Sequence, residues 1–326
     1  MSPARANDLR SWVEPLVGPI IRVSGHPAAG RSRSIQIVES RRDGETILSI
    51  LRSDAGDGPM SDTRFTLGRE AEFLLALNEE DVRVPRCYGV SPEGTAMLLE
   101  CLAGSATTSF ATAEEREAVM RSYVEELAAL HAIDPRTLRL PVPNGDFERS
   151  PALVDLDDFV EAYRRICPPH IEFDAVVSWL QQNAPSVRPT AVLVHGDTGP
   201  GNFMHLDGKL TGLVDFEFAH VGDREDDLAW VWFRCELLYG DLHYTDYFRW
   251  YQEITGHSID MDRLLYYRVL VLTRCVASNL FVEGKPSDVP RAGLTKTLPW
   301  LRAVLEQAGG PVRQPMAAIS DFPLMI

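Results

Sequence analysis

The chain reads as an α+β protein with a bilobal layout: a small β-rich lobe over residues 1–102 and a larger helical lobe over residues 103–326. Three observations predict it. Short apolar strands crowd between Ile20 and Cys101, helical periodicity runs from Ala113 almost to the end, and one compact β segment interrupts the helices between Ala191 and Val214. At 326 residues the chain exceeds what one small core organises and leaves room for a cleft.

In the first lobe, Ile35-Gln36-Ile37-Val38 and Ile47-Leu48-Ser49-Ile50-Leu51 flank the turn-forming Asp43-Gly44, which predicts a hairpin. A helix follows over Leu67 to Glu80, with Thr66 as its cap and Phe73, Leu74 and Leu77 on one face; Val82 to Pro85 ends it. Thr95 to Leu102 reads as a buried strand running into a hinge at Ala103-Gly104. Beyond it, Val119, Val124, Leu127 and Leu130 mark a helix over Ala113 to Ile133, continued by helices at 155–166 and 173–182. Ala191-Val192-Leu193-Val194 enters a glycine-rich turn at 196–201. Phe203 to Leu206 and Leu210 to Val214 then form a second hairpin around Asp207-Gly208. Helices are expected near 225–238, 243–255, 260–282 and 291–308, and the proline-bearing tail from Gly309 carries no periodicity.

Composition narrows the function. No apolar run approaches bilayer length, and the first residues lack the apolar stretch of a signal peptide, so no membrane span and a cytoplasmic location are expected. The five cysteines (Cys87, Cys101, Cys167, Cys235, Cys275) are scattered without a C-x-x-C pair, which supports neither a disulfide framework nor a zinc site. Residues 1–102 carry 12 basic and 15 acidic side chains, leaving 20 basic and 32 acidic for the second lobe. That excess argues against a nucleic-acid partner and suits either a cationic substrate or solubility alone. The oligomeric state stays open.

The chemistry concentrates in one stretch. Moving a γ-phosphoryl group asks for Mg²⁺ to offset phosphate charge, an oriented hydroxyl and exclusion of water. In His195-Gly196-Asp197-Thr198-Gly199-Pro200-Gly201-Asn202 an acid stands five residues before an amide, the spacing of the protein-kinase catalytic loop. Asp197 is expected to accept the hydroxyl proton, and Asn202 to offer magnesium its carbonyl oxygen. Asp215, in Leu213-Val214-Asp215-Phe216-Glu217, follows a buried strand and is expected to be the second metal ligand. His195 is expected to support the loop. No Walker-type P-loop is present.

The stretch 193–229, from Leu-Val-His-Gly-Asp to Asp227-Leu228-Ala229, resembles the aminoglycoside phosphotransferase and choline kinase superfamily, as does the helix ending in Leu130-His131. Its closest look is to the kinase-like domains of acyl-CoA dehydrogenase fusions. The resemblance implies a bilobal protein-kinase-like fold, ATP or GTP with Mg²⁺ as cofactors, and a small-molecule hydroxyl acceptor. It assigns the phosphate-holding cation of the third strand to Arg52 and its helix glutamate to Glu70, with arginine in place of lysine. The phosphate-covering turn falls at Ser24 to Ser32, including Gly25, and the backbone around Glu100 to Leu102 faces the adenine. Asp227 is similar to an acid that braces the catalytic loop.

The acceptor is not named by sequence. Nine aromatics lie within residues 230–251, enough for a helical core and for an aromatic cage around an amino alcohol. An aminoglycoside would want Glu225, Asp226, Glu236 and Asp241 facing the cleft, and the dehydrogenase-linked branch would suggest a hydroxyacyl thioester. Two other classes compete. A metal-dependent hydrolase would use His195, Asp197, His205, Asp215, His220 and Asp223 as a cluster. A pseudokinase that only binds nucleotide is suggested by the irregular covering turn.

Overall fold

The computed structural model describes residues 3–25, 33–54, 64–140, 150–166, 171–186, 191–240, 243–283 and 292–310. It shows a β-sheet N-lobe and a helical C-lobe. The N-lobe holds a helix, α1 (Pro3–Val17), three strands, β1 (Ile20–Gly25), β2 (Arg33–Arg42) and β3 (Glu45–Asp54), a second helix, α2 (Leu67–Leu77), and strands β4 (Cys87–Val90) and β5 (Ala96–Glu100). The five strands form one antiparallel sheet in the order β1-β2-β3-β5-β4. The predicted hairpin is β2–β3, turning through Asp43 and Gly44, both with positive φ.

Strand alternation assigns the two faces of this sheet. Val38, Leu51 and Leu98 pack under Val13 and Val17 of α1, while Met97 and Leu99 face the core shared with Phe73, Leu74 and Leu77 of α2. Arg52, one residue past Leu51, therefore projects to the α2 side. Thr66 caps α2 as expected, its hydroxyl accepting from Arg69 N. The α1 helix is an addition to the sequence reading, which treats this stretch only as lacking a signal peptide.

The C-lobe continues with α3 (Ala113–Ala132), α4 (Pro151–Ile166), α5 (Ile171–Gln182), four short strands and α6 (Arg224–Trp232), which runs on through a π-helical turn, Phe233–Leu238. Helices α7 (Tyr244–Thr255), α8 (Met261–Glu283) and α9 (Ala292–Gln307) complete it. The strands are β6 (Val192–Val194), β7 (Phe203–Leu206), β8 (Lys209–Leu213) and β9 (His220–Gly222). β7 and β8 form the predicted hairpin, and β6 pairs with β9, so Val194 lies opposite His220. This second pairing brings the loop after β6 beside the loop after β8. Among the described residues no helix is long and apolar enough to cross a membrane. Among the described residues Cys87, Cys101, Cys235 and Cys275 form no disulfide, and Cys167 lies outside them.

Candidate active site

The loop between β6 and β7 holds its shape through Asp227 on α6. The two oxygens of this fully buried carboxylate accept from His195 N at 2.8 Å and Gly196 N at 2.9 Å, and His131 Nε2 lies 3.0 Å away. His131 in turn bonds Tyr251 at 2.7 Å. Burial alone would raise the Asp227 pKa, but these partners bring it below the ordinary carboxylate value. Gly196 has φ +84°, and a Cβ there would stand 2.3 Å from Phe218 O, so this turn accepts only glycine. His195 is fully buried. Its Nε2 bonds Val214 O at 2.9 Å and its Nδ1 accepts from Asp197 N at 3.4 Å, so it ties the two loops together.

Asp197 leaves this brace with both oxygens engaged. Asn202 Nδ2 donates to Oδ2 at 2.9 Å and to the Asp197 carbonyl at 2.7 Å, while Arg234 Nη2 donates to Oδ1 at 2.6 Å. Burial pushes the Asp197 carboxyl up, with Arg234 opposing. Committing the Asn202 nitrogen to Asp197 leaves its carbonyl oxygen as the group available to a metal.

Asp215 adopts φ +71°, uncommon for a residue other than glycine, and accepts from Arg52 Nη2 at 2.8 Å. Arg52 Nη1 also donates to Glu70 at 2.5 Å. The arginine thus joins β3, α2 and the loop after β8 in one contact chain. Burial would raise Asp215, yet Arg52 holds it below its usual value. Glu70, fully buried, is pushed up to about 7 by burial against the pull of Arg52. Burial and the adjacent Asp215 push Glu217 up to about 8. Arg69 fastens the same loop to α2 by donating to Glu217 O at 3.3 Å and to Ala219 O.

A cleft of about 470 Å³ lies between the sheet and these loops. Ile35, Ile50, Leu99, Leu102, Met204 and Val214 supply apolar walls, and Arg33, Arg52, Glu70, Asn202, Asp215 and Glu217 supply a charged end. Glu100 and Leu102 are among the lining residues. Gly25 closes β1 opposite Gln36 and is not among the lining residues, and the rest of the covering turn, 26–32, lies outside the described residues.

Four residues of the hydrolase cluster are held elsewhere or otherwise occupied. His205 bonds Thr107 O, His220 bonds Phe218 O, Asp223 is taken by Arg263 and Tyr267, and His195 bonds Val214 O. Among the described residues no group of three or more His, Cys, Asp or Glu side chains is arranged to hold a metal. The acids offered to a cationic acceptor are also turned inward. Glu225 accepts from Asp260 N, Asp226 pairs with Arg274 at 3.0 Å, and Glu236 is buried beside Trp232 and Tyr244. Asp241 lies outside the described residues. Eight of the nine aromatics expected between 230 and 251 are buried core, and Tyr239 is exposed.

Residues 38–265 match the family model described as the phosphotransferase enzyme family. The chain belongs to that family. It is therefore a phosphotransferase, of a group whose members include small-molecule kinases. A curated relative, an aminoglycoside 3'-phosphotransferase of Niallia circulans, is 29% identical over 62% of this chain and 76% of its own length. Among solved structures, the choline kinase LicA of Streptococcus pneumoniae superposes with a TM-score of 0.63 at 14% identity, covering 93% of this chain and 99% of the kinase. A thermostable mutant of an aminoglycoside phosphotransferase, solved with AMP-PNP and hygromycin B, gives 0.63 at 16% identity, covering 93% of this chain and 100% of that one. These last two likenesses concern the fold.

Arg234, Arg33 and Arg69 escape the sequence reading. A signal for Arg234 was present, since it is the one cation in the mostly apolar stretch Trp230 to Leu238 and a buried cation requires an anionic partner.

Proposed function

We propose that the chain moves the γ-phosphoryl group of ATP, or of GTP, to a hydroxyl of a small molecule, with Asp197 as the general base. The observation that carries this reading is the meeting of Asn202, Asp215, Arg52 and Glu70 in one cleft, with Asp197 bonded to Asn202 at its edge. The donor set suits magnesium and a nucleotide. Asn202 and Asp215 offer the oxygen ligands that Mg²⁺ prefers, and the apolar walls beside Glu100 and Leu102 suit a base. Buried oxygens of Glu70 and Glu217 and the Nε atoms of Arg33 and Arg52 make no hydrogen bond, as expected of a site shaped for further polar groups.

Magnesium bound there would offset the charge of the transferred phosphate. Arg52 would hold the phosphates and Glu70 would hold Arg52 in place. Asp197 would orient the acceptor hydroxyl and take its proton, kept in position by Asn202. The lobes would divide near Leu102, and the protein would act in the cytoplasm.

The acceptor belongs to one of three classes: aminoglycoside-like, amino alcohol or hydroxyacyl compound. The inward pairing of Glu225 and Asp226 weighs against a polycation. An ATP-consumption screen over aminoglycosides, macrolides, amino alcohols, sugars and hydroxyacyl thioesters is expected to find one active class. With that acceptor, Asp197→Ala is expected to lower kcat by about 10³-fold or more while calorimetric Mg-nucleotide binding stays within a few-fold. Turnover at the normal rate in Asp197→Ala would remove the assignment, and nucleotide binding by the unaltered protein without transfer to any acceptor would favour the pseudokinase.

A further inference from the structure

Three features of the C-lobe meet at Arg234. The first is a change of helical geometry. α6 ends at Trp232, and the chain winds on as a π-helical turn of which Arg234 is the second residue. Such turns are rare and are found frequently at functional sites.

The second feature is the fork Arg234 makes on the catalytic loop. Nη2 lies 2.6 Å and Nε 3.3 Å from the same Asp197 oxygen, and Nη1 donates to Pro200 O at 3.0 Å. One planar group thus spans the loop from its acid to its central proline. Asn202 secures the other carboxylate oxygen, so the Asp197 rotamer is gripped from both sides. Each carboxylate oxygen can accept more than one bond, which leaves capacity for an acceptor hydroxyl.

The third feature lies in the loop itself. Gly199 and Gly201 have φ +119° and +97°, and a Cβ at each would stand 2.9 Å from Arg234 Cδ and 3.4 Å from Nη1. The glycines around Pro200 therefore provide the space through which the guanidinium approaches. Trp230, one helical turn earlier, lies with its ring centre 5.9 Å from Arg234 Cζ and supports it from the helix side. Neither Arg234 nor Asp197 lines the nucleotide cleft, so this grip acts from outside it.

We propose that Arg234 is a positioning residue for phosphoryl transfer, fixing the Asp197 carboxylate and the 197–200 turn in the geometry that meets the acceptor hydroxyl. A change of about 1 Å in such a group costs on the order of 10²-fold in rate. The inference rests on the reading of Asp197 as the base, and it separates Arg234 from the nucleotide-holding Arg52.

The test uses the full chain with Arg234→Ala and Arg234→Lys. Arg234→Ala is expected to lower kcat about 10²-fold with KM for nucleotide and calorimetric Mg-nucleotide affinity within threefold of the unaltered protein. Millimolar guanidinium is expected to restore part of the loss. In the nucleotide-free protein, hydrogen exchange at the 197–202 amides is expected to quicken in Arg234→Ala and to slow again with guanidinium. Arg234→Lys keeps the charge but not the fork, and is expected to fall about tenfold in kcat at an unchanged Tm. A kcat within threefold in Arg234→Ala overturns the proposal, as does equal loss of kcat and nucleotide affinity that guanidinium leaves unrestored. Should Arg234→Ala fail to fold, Arg234→Lys with the normal kcat overturns it. If the unaltered protein transfers phosphate to no acceptor, the proposed function fails, while loop exchange still judges Arg234.

Discussion

Asp227 holds the loop after β6 and Asp215 lies in the loop after β8, and their surroundings differ in kind. Asp227 receives two backbone N–H groups and a histidine, and its neighbours are similarly matched: Asp226 faces Arg274, and Asp223 takes Arg263 and Tyr267. Around Asp215 the balance is incomplete. Arg52 serves two carboxylates at once, and Glu70, Glu217, Arg33 and Arg52 each keep a buried polar atom without a hydrogen bond. A polar network with every member satisfied rigidifies a fold, whereas a partly satisfied one carries a free-energy cost that a ligand can relieve. The first cluster therefore builds the loop, and the second suits the proposed nucleotide and metal.

Removing acids from the two clusters should separate folding from binding. The largest effect is expected on the scaffold side. Asp227→Ala leaves His195 N, Gly196 N and His131 without their buried acceptor, and should lower unfolding free energy by about 3–5 kcal/mol in urea titrations. A loss under about 1 kcal/mol would end the distinction.

On the cleft side the expectation reverses. Asp215→Ala should weaken Mg-dependent nucleotide binding by about 10–100-fold in calorimetry. Its nucleotide-free stability should fall by no more than about 2 kcal/mol, part of it the strain of alanine at φ +71°, because Arg52 retains Glu70 and Asp215 is partly open to solvent. Destabilisation matching that of Asp227→Ala would place Asp215 in the scaffold instead.

Much of this division was legible in sequence, for physical reasons that differ by element. The acid–amide spacing of Asp197 and Asn202 and the position of Asp215 after an apolar strand are local patterns, and local patterns survive without coordinates. Arg52 and Glu70 were reached through the family resemblance, which implies a cation on the third strand and a glutamate on the helix that follows. The rest depends on long-range pairing. Strands β4 and β9 are four and three residues long, too short to show a period, and exist because β5 and β6 pair with them. The first helix carries weak amphipathicity and an internal Pro15, so its docking on the sheet decides its form. Glu225 and Asp226 looked available to a cation because composition cannot tell a surface acid from a buried partner of Arg274. Arg234 stands out as a cation in a helical run, but the π-helical turn shifts the phase of the residues beyond Trp232, so its partner Asp197 was not readable from periodicity.

The smallest effect asks whether the cleft acids carry a folding cost before any ligand arrives. Glu70 has an ordinary pKa near 4.5 in the unfolded chain and about 7 in the folded one, raised by burial. Below about pH 4.5 it is protonated in both states. Between 4.5 and 7 the folded protein holds a proton that the unfolded chain has released, so Glu70 makes stability fall as pH rises, and above 7 the contribution levels off. Glu70→Gln removes that proton linkage while Arg52 keeps Asp215. The unaltered protein should therefore lose on the order of 1–3 kcal/mol relative to Glu70→Gln between pH 4.5 and 8, measured by urea unfolding without magnesium or nucleotide. A difference independent of pH, or one of opposite sign, would mean that Arg52 fully compensates the buried glutamate. The cleft would then be as well satisfied as the scaffold beside it.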